Sequence, residues 1–175
     1  MHKCYAVKRS IRHALYCGCA FLLLACSTPH ATKQAPRTQK PMQSTQASPS
    51  ALANEVVLYA LGLLNIGYRF GGNNPESGLD CSGMVAYIYQ QAAGISLPHN
   101  AAQIAAKTKA IPQDALQAGD LVFFNTLKRP YSHVGLYIGD RRFVHAPSQN
   151  KVIQIAYLNT PYFAQRYHAA RRVLP

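Results

Sequence analysis

No cysteine follows residue 81 in this 175-residue chain, tryptophan is absent throughout, and only six residues are acidic. Cys4, Cys17, Cys19 and Cys26 all lie in the first 26 residues, so everything beyond them holds one thiol, Cys81, and no disulfide of its own. No acid occurs before Ala51, where seven of the eighteen basic residues sit; beyond it eleven bases meet six acids. Those eleven, Arg69, Lys107, Lys128, Arg141, Lys151 and Arg171 among them, are scattered, without the clustering and interleaved aromatics of a nucleic-acid surface. No nucleic-acid partner is expected, and the basic surface reads as solvated, with at most weak attraction for an acidic polymer. No internal repeat is visible. Between Ser27 and Ala51 there is no Leu, Ile, Val or aromatic residue, so that stretch cannot bury a core and reads as a linker. As a flexible coil it would span roughly 25–30 Å. Nor is any apolar run long enough to cross a bilayer, since Ala14–Ala25 offers about 12 residues where about 20 are needed. The chain as a whole is 49% hydrophobic, enough for one proper core.

The first 26 residues order Lys3, Lys8, Arg9 and Arg12 ahead of the apolar run, as a secretory signal does. The junction Leu23-Leu24-Ala25-Cys26 resembles the bacterial lipobox. That resemblance implies removal of residues 1–25, lipidation of Cys26 and a mature chain tethered to a membrane through residues 26–51. Ser27 in place of Asp resembles the sorting signal for the outer membrane of a Gram-negative cell, so a periplasmic location is expected. Cys81 is then the only free thiol in an oxidising compartment.

Residues 52–175 read as one domain. Val56, Val57, Ala60, Leu61 and Leu64 recur at helical spacing within a helix expected over Leu52–Ile66. A second helix is expected over Cys81–Ala93, capped by Asp80 and stopped by Gly94, and a shorter one over Pro98–Lys107. Cys81 shares a helical face with Met84, Val85 and Ile88, so it points into the body of the domain. Strands are expected at Leu121–Asn125, His133–Gly139, Arg142–Ala146, Lys151–Ala156 and Tyr167–Val173. Helices followed by strands indicate an α+β fold, with N-terminal helices packed on a mostly antiparallel sheet.

Three motifs stand in order along this domain: Tyr68-Arg69-Phe70-Gly71-Gly72 with Asp80-Cys81-Ser82-Gly83, then Gly119-Asp120-Leu121-Val122-Phe123-Phe124, then His133-Val134-Gly135-Leu136-Tyr137-Ile138-Gly139 with Phe143-Val144-His145-Ala146. Together they resemble the NlpC/P60 family of cysteine peptidases, and within it the lipoprotein murein endopeptidases. The resemblance implies a papain-like fold and hydrolysis of peptide bonds in the stem or cross-link peptides of peptidoglycan, with no cofactor. By position Cys81 matches the nucleophile, His133 the base and His145 the third polar residue. Tyr68 would assist at the oxyanion or, alternatively, simply pack against its loop. His99-Asn100 stand where the family commonly has Arg followed by Ser or Thr, which puts substrate contacts there in question.

The chemistry of these residues is consistent with such roles. A helix N-terminus and an imidazolium neighbour are expected to lower a thiol from about 8.5 toward a thiolate. His133 would later protonate the leaving amine, and His145 would accept the other ring N–H of His133 and hold its tautomer. His168 competes for the place of His145, and a zinc site built on the three residues lacks a closely spaced ligand pair, so no metal is expected. Strand register supplies a test. A clean two-residue hairpin at 139–140 would put the two histidines on opposite faces, whereas an odd loop or a bulge would join them and gather Val134, Leu136, Ile138 and Val144 on the other face. Rival readings are a catalytically silent peptidoglycan-binding lipoprotein, and an amidase or other acyl transfer on the same scaffold. A monomer is expected.

Overall fold

The computed structural model describes residues 48–174. The signal, Cys26 and nearly all of the linker lie outside the described residues. Helix α1 (Pro49–Gly62) opens three residues before the expected start because Ser48 Oγ accepts from the Ala51 N–H and Pro49 supplies a preset φ at the first turn. It also closes earlier than expected, at Gly62. Asn65 turns left-handed (φ 70°) and gives its N–H to Ile153 instead of continuing the helix. None of the described helices is long and apolar enough to cross a membrane.

A two-residue hairpin, β1 (Asn73–Asn74) and β2 (Gly78–Leu79), leads into α2 (Cys81–Ala93), which ends on left-handed Gly94 as expected. Helix α3 (Ala101–Lys107) starts at the Asn100 cap, later than Pro98. The sheet then follows: β3 (Lys109–Ile111), β4 (Leu121–Phe124), β5 (His133–Gly139), β6 (Arg142–His145), β7 (Gln154–Tyr157) and, after the short α4 (Pro161–Ala164), β8 (Tyr167–Arg172). These six strands lie in the order β3-β8-β4-β5-β6-β7, every neighbour antiparallel. Helices plus an antiparallel sheet make the domain α+β, as expected. Strand β3 has no alternation to betray it, and β7 is shifted toward the C-terminus because Ile153 is drawn away to bond Ile66.

The helices cover one face of the sheet. Val56, Ala60, Met84, Val85 and Ile88 pack there on Leu121, Phe123, Val134, Leu136 and Val144, all nearly or fully buried. The other face carries a smaller cluster of Val122, Phe124, Phe143 and Leu158, edged by Phe163 and Tyr167. Buried Asp120 ties the C-terminal strand to the motif before β4: its two carboxylate oxygens accept from Arg172 Nε at 2.8 Å and Nη2 at 2.7 Å, and Oδ2 also accepts the Gln117 N–H. Tyr89, fully buried, donates its hydroxyl to the Gly119 carbonyl next door.

Candidate active site

Cys81 is the first residue of α2, so the free backbone N–H groups of that first turn surround its side chain. Asp80, one residue earlier, organises the turn. Its Oδ1 accepts from the Gly83 N–H at 2.7 Å, the Ser82 hydroxyl at 2.9 Å and His99 Nε2 at 2.9 Å, while Oδ2 accepts the Gly71 N–H at 3.0 Å. The glycines explain how the preceding loop comes so close. A Cβ on Gly83 would lie 2.0 Å from the Gly72 carbonyl oxygen, and one on Gly72 would lie 2.2 Å from that of Gly78. Only bare backbone lets the Tyr68 loop lie flat on α2. Met84, Val85 and Ile88 are buried as their spacing predicts, and half-buried Cys81 packs against the same core at its edge.

The two histidines meet from adjacent strands. His133 Nε2 and His145 Nδ1 are 2.9 Å apart, and the residues are 6% and 2% exposed. The register test comes out for a shared face. The turn is two residues long but sits at Asp140-Arg141, both left-handed, and one extra residue on β5, Ile138, bulges between the pairs Tyr137 with Phe143 and Gly139 with Arg142. With Leu136 opposite Val144, Gly135 falls opposite His145 and on the same face as His133. Val134, Leu136 and Val144 turn to the helices with Ile138 at their margin, as expected. Gly135 is needed here: a Cβ would sit 2.5 Å from the Phe143 ring that lies between the histidines and the aromatic cluster. His168 is exposed and packs edge-on against Tyr131, while the ring nitrogen beside His133 belongs to His145.

One open cleft is lined by Tyr68, Asp80, Cys81, His99, Tyr131 and His133. The structure thus brings Tyr68, Cys81 and His133 together and attaches His145 behind His133. Burial pushes the Tyr68 phenol up, and the charges of Cys81 and Asp80, which line the same cleft, add to the shift. The resting charge state differs from the expectation. Burial pushes the Cys81 thiol up to about 11, with Asp80 adding to it and the N–H groups of Val134, Ser82 and Cys81 opposing it. Burial also pushes His133 down to about 4, against Asp80, and His145 down to about 3, helped by His133 and Lys151. At neutral pH the site therefore holds a thiol and neutral imidazoles rather than a preformed ion pair, because desolvation outweighs the helix terminus. His133 spends Nε2 on His145, which leaves Nδ1 as its uncommitted ring nitrogen.

His99 and Asn100, which depart from the expected motif, both have structural tasks. His99 hydrogen-bonds Asp80 through Nε2, and Asn100 caps α3 by accepting the Gln103 N–H at 3.1 Å. The contact of His99 with Asp80 has no local signal in the sequence.

The chain is 39% identical over 127 residues to the gamma-DL-glutamyl hydrolase of Bacillus subtilis, covering 72% of this chain and 30% of that protein. It is 40% identical over 110 residues to the murein DD-endopeptidase MepH of Escherichia coli, covering 61% of this chain and 41% of that protein. The chain thus spans less than half the length of either relative. Among solved structures, an NlpC/P60 family protein from Bacillus cereus superposes with a TM-score of 0.66 at 34% identity, over 70% of this chain and 40% of that one. Residues 66–172, more than half of the chain and inclusive of every motif that builds the cleft, match the model of the NlpC/P60 family, and to that family the chain belongs.

Proposed function

We propose that this chain is a cysteine peptidase that hydrolyses peptide bonds in the stem or cross-link peptides of peptidoglycan. The observation that carries this is the convergence of Cys81, at a helix N-terminus, with a buried His133–His145 pair on one open cleft. His133 Nδ1 takes the thiol proton as Sγ attacks the carbonyl carbon. The negative charge that develops on the carbonyl oxygen is met by N–H groups of the first turn of α2 and by the Tyr68 hydroxyl. His133 then returns its proton to the leaving amine, the C–N bond breaks, and a thioester remains on Cys81. Water, deprotonated by His133, hydrolyses the thioester and restores the thiol. His145 acts on His133, accepting its Nε2–H so that Nδ1 is the basic nitrogen. No step calls on a metal or cofactor.

The two relatives are named a gamma-DL-glutamyl hydrolase and a murein DD-endopeptidase, so γ-glutamyl and DD-peptide bonds are both substrates to test. The signal-like segment with Cys26, followed by a linker without core-forming residues, supports a lipid anchor at the outer membrane facing the periplasm. Purified sacculi and defined muropeptides, incubated with the protein and followed by mass spectrometry, should yield new peptide fragments, and Cys81→Ala should abolish them while the circular dichroism spectrum is unchanged. Full activity in Cys81→Ala sinks the mechanism. Binding to sacculi without new fragments would favour a silent wall-binding protein, and fragments cut at an amide outside the peptide would favour an amidase. In cells, Cys26→Ser should move the protein from the outer-membrane to the soluble periplasmic fraction; unchanged fractionation removes the anchor.

A further inference from the structure

A second hollow, about 380 Å³, adjoins the cleft. It shares His133, Thr126 and Ser148 with it, but reaches neither Cys81 nor Tyr68. Its remaining polar walls are His145, Gln154, Lys151 and Tyr162, and no carboxylate borders it. Lys151 is exposed and forms no ion pair among the described residues, yet its charge is felt at His145. The backbone holds it in place: the Lys151 carbonyl accepts the Tyr68 N–H at 2.8 Å, which fastens the lysine to the loop that forms the cleft.

A second observation lies in the wall. For His133 to keep Nδ1 free it must donate Nε2–H to His145 Nδ1, so His145 carries its own proton on Nε2. That atom is buried and has no hydrogen-bond partner among the described residues. A buried donor left unpaired is costly, and a hollow that also presents an unpaired ammonium is matched by an anion that accepts hydrogen bonds. His133 delivers its proton to the leaving amine, so a hollow on the His133–His145 side that excludes Cys81 receives what is attached to that amine.

We propose that this hollow binds a carboxylate carried by the fragment on the amine side of the scissile bond, with Lys151 as its counter-charge and Gln154 as a neutral donor. This rests on the peptidase reading above. It adds a requirement to that reading: the substrate must be acidic on the far side of the cut. Binding there also offsets the Lys151 charge next to His145, so arrival of the correct substrate makes the base pair more basic when the thiol must be deprotonated.

The test uses two synthetic peptides with the same scissile bond, one with a free carboxylate on the residue that supplies the leaving amine and one with that carboxylate amidated. The wild-type chain should cleave the acid with a kcat/KM about tenfold above the amide, most of it in KM, as expected for a charge-assisted contact. Lys151→Gln should bring the acid down to the level of the amide, Lys151→Arg should keep the preference, and Lys151→Glu should invert it. Matching thermal midpoints show that the variants fold. Equal cleavage of acid and amide by the wild type, or a preference that survives Lys151→Gln, overturns the subsite and leaves the peptidase standing. Cleavage of neither peptide by the wild type, in a preparation that also leaves sacculi intact, overturns both.

Discussion

Strand β5 presents two faces made from the same seven residues, and they do different work. Val134 and Leu136 enter a cluster of aliphatic side chains under α1 and α2. His133, Gly135 and Tyr137 face the other way, into Phe124, Phe143 and Phe163, where ring centroids stand about 5 Å apart. The first face is apolar and replaceable in kind. The second holds two imidazoles in a dry aromatic shell that keeps them neutral, and His145 alone is met edge-on by Phe163 at 5.2 Å and by Phe143, tilted, at the same distance. The same desolvation that stabilises one face depresses the basicity of the other. An aromatic wall is thus both packing and a device for setting the proton affinity of the base.

The contrast predicts where the molecule breaks. An alanine inserted between Val144 and His145 should turn His145 to the helix side and lower peptidase activity by about 10³-fold or more, the scale seen when members of such a triad are removed. Activity close to wild type in a folded insertion variant would mean that the shared face is irrelevant. Leu136→Ala, on the helix side, should instead cost roughly 2–5 kcal/mol of stability in urea unfolding with little change in kcat at a temperature where it is folded. A large fall in kcat there would show that the two faces are not separable.

The smallest effect is the pH dependence. Because His133 and His145 are held at about 4 and 3 when folded, against about 6.5 when unfolded, the unfolded chain binds more protons as pH falls. Stability is therefore present in full above about pH 6.5 and is lost as pH drops through 4 and then 3. Urea midpoints between pH 7.5 and 4 check this, and His145→Gln should flatten the slope. An unchanged slope would assign the acid loss to other groups.

Much of the helical architecture was legible because its signals are local. Helix α2 begins at the Asp80 cap and ends at Gly94 as the residues indicate, since a cap and a left-handed stop act over three or four positions. The C-terminal end of α1 was not, because Asn65 leaves the helix for a carbonyl on Ile153, 88 residues away. The same competition displaced β7. Cys81, His133 and His145 were legible as candidates by motif, and Tyr68 by its loop. The link from His99 to Asp80, and the place of Lys151 beside His145, depend on chain crossings that no local pattern encodes.

By itself the sequence determined that one thiol serves the domain, that a helix begins at it, and that apolar residues alternate along β5. Those are matters of residue type and spacing. Only the tertiary structure decided that the extra residue in the hairpin is Ile138, that the histidines share a face, and that the resting pair is a thiol and an imidazole rather than their ions. A bulge is chosen by which side chains bury best across two strands, and a protonation state by how much water the assembled walls exclude; neither exists until the chain has folded.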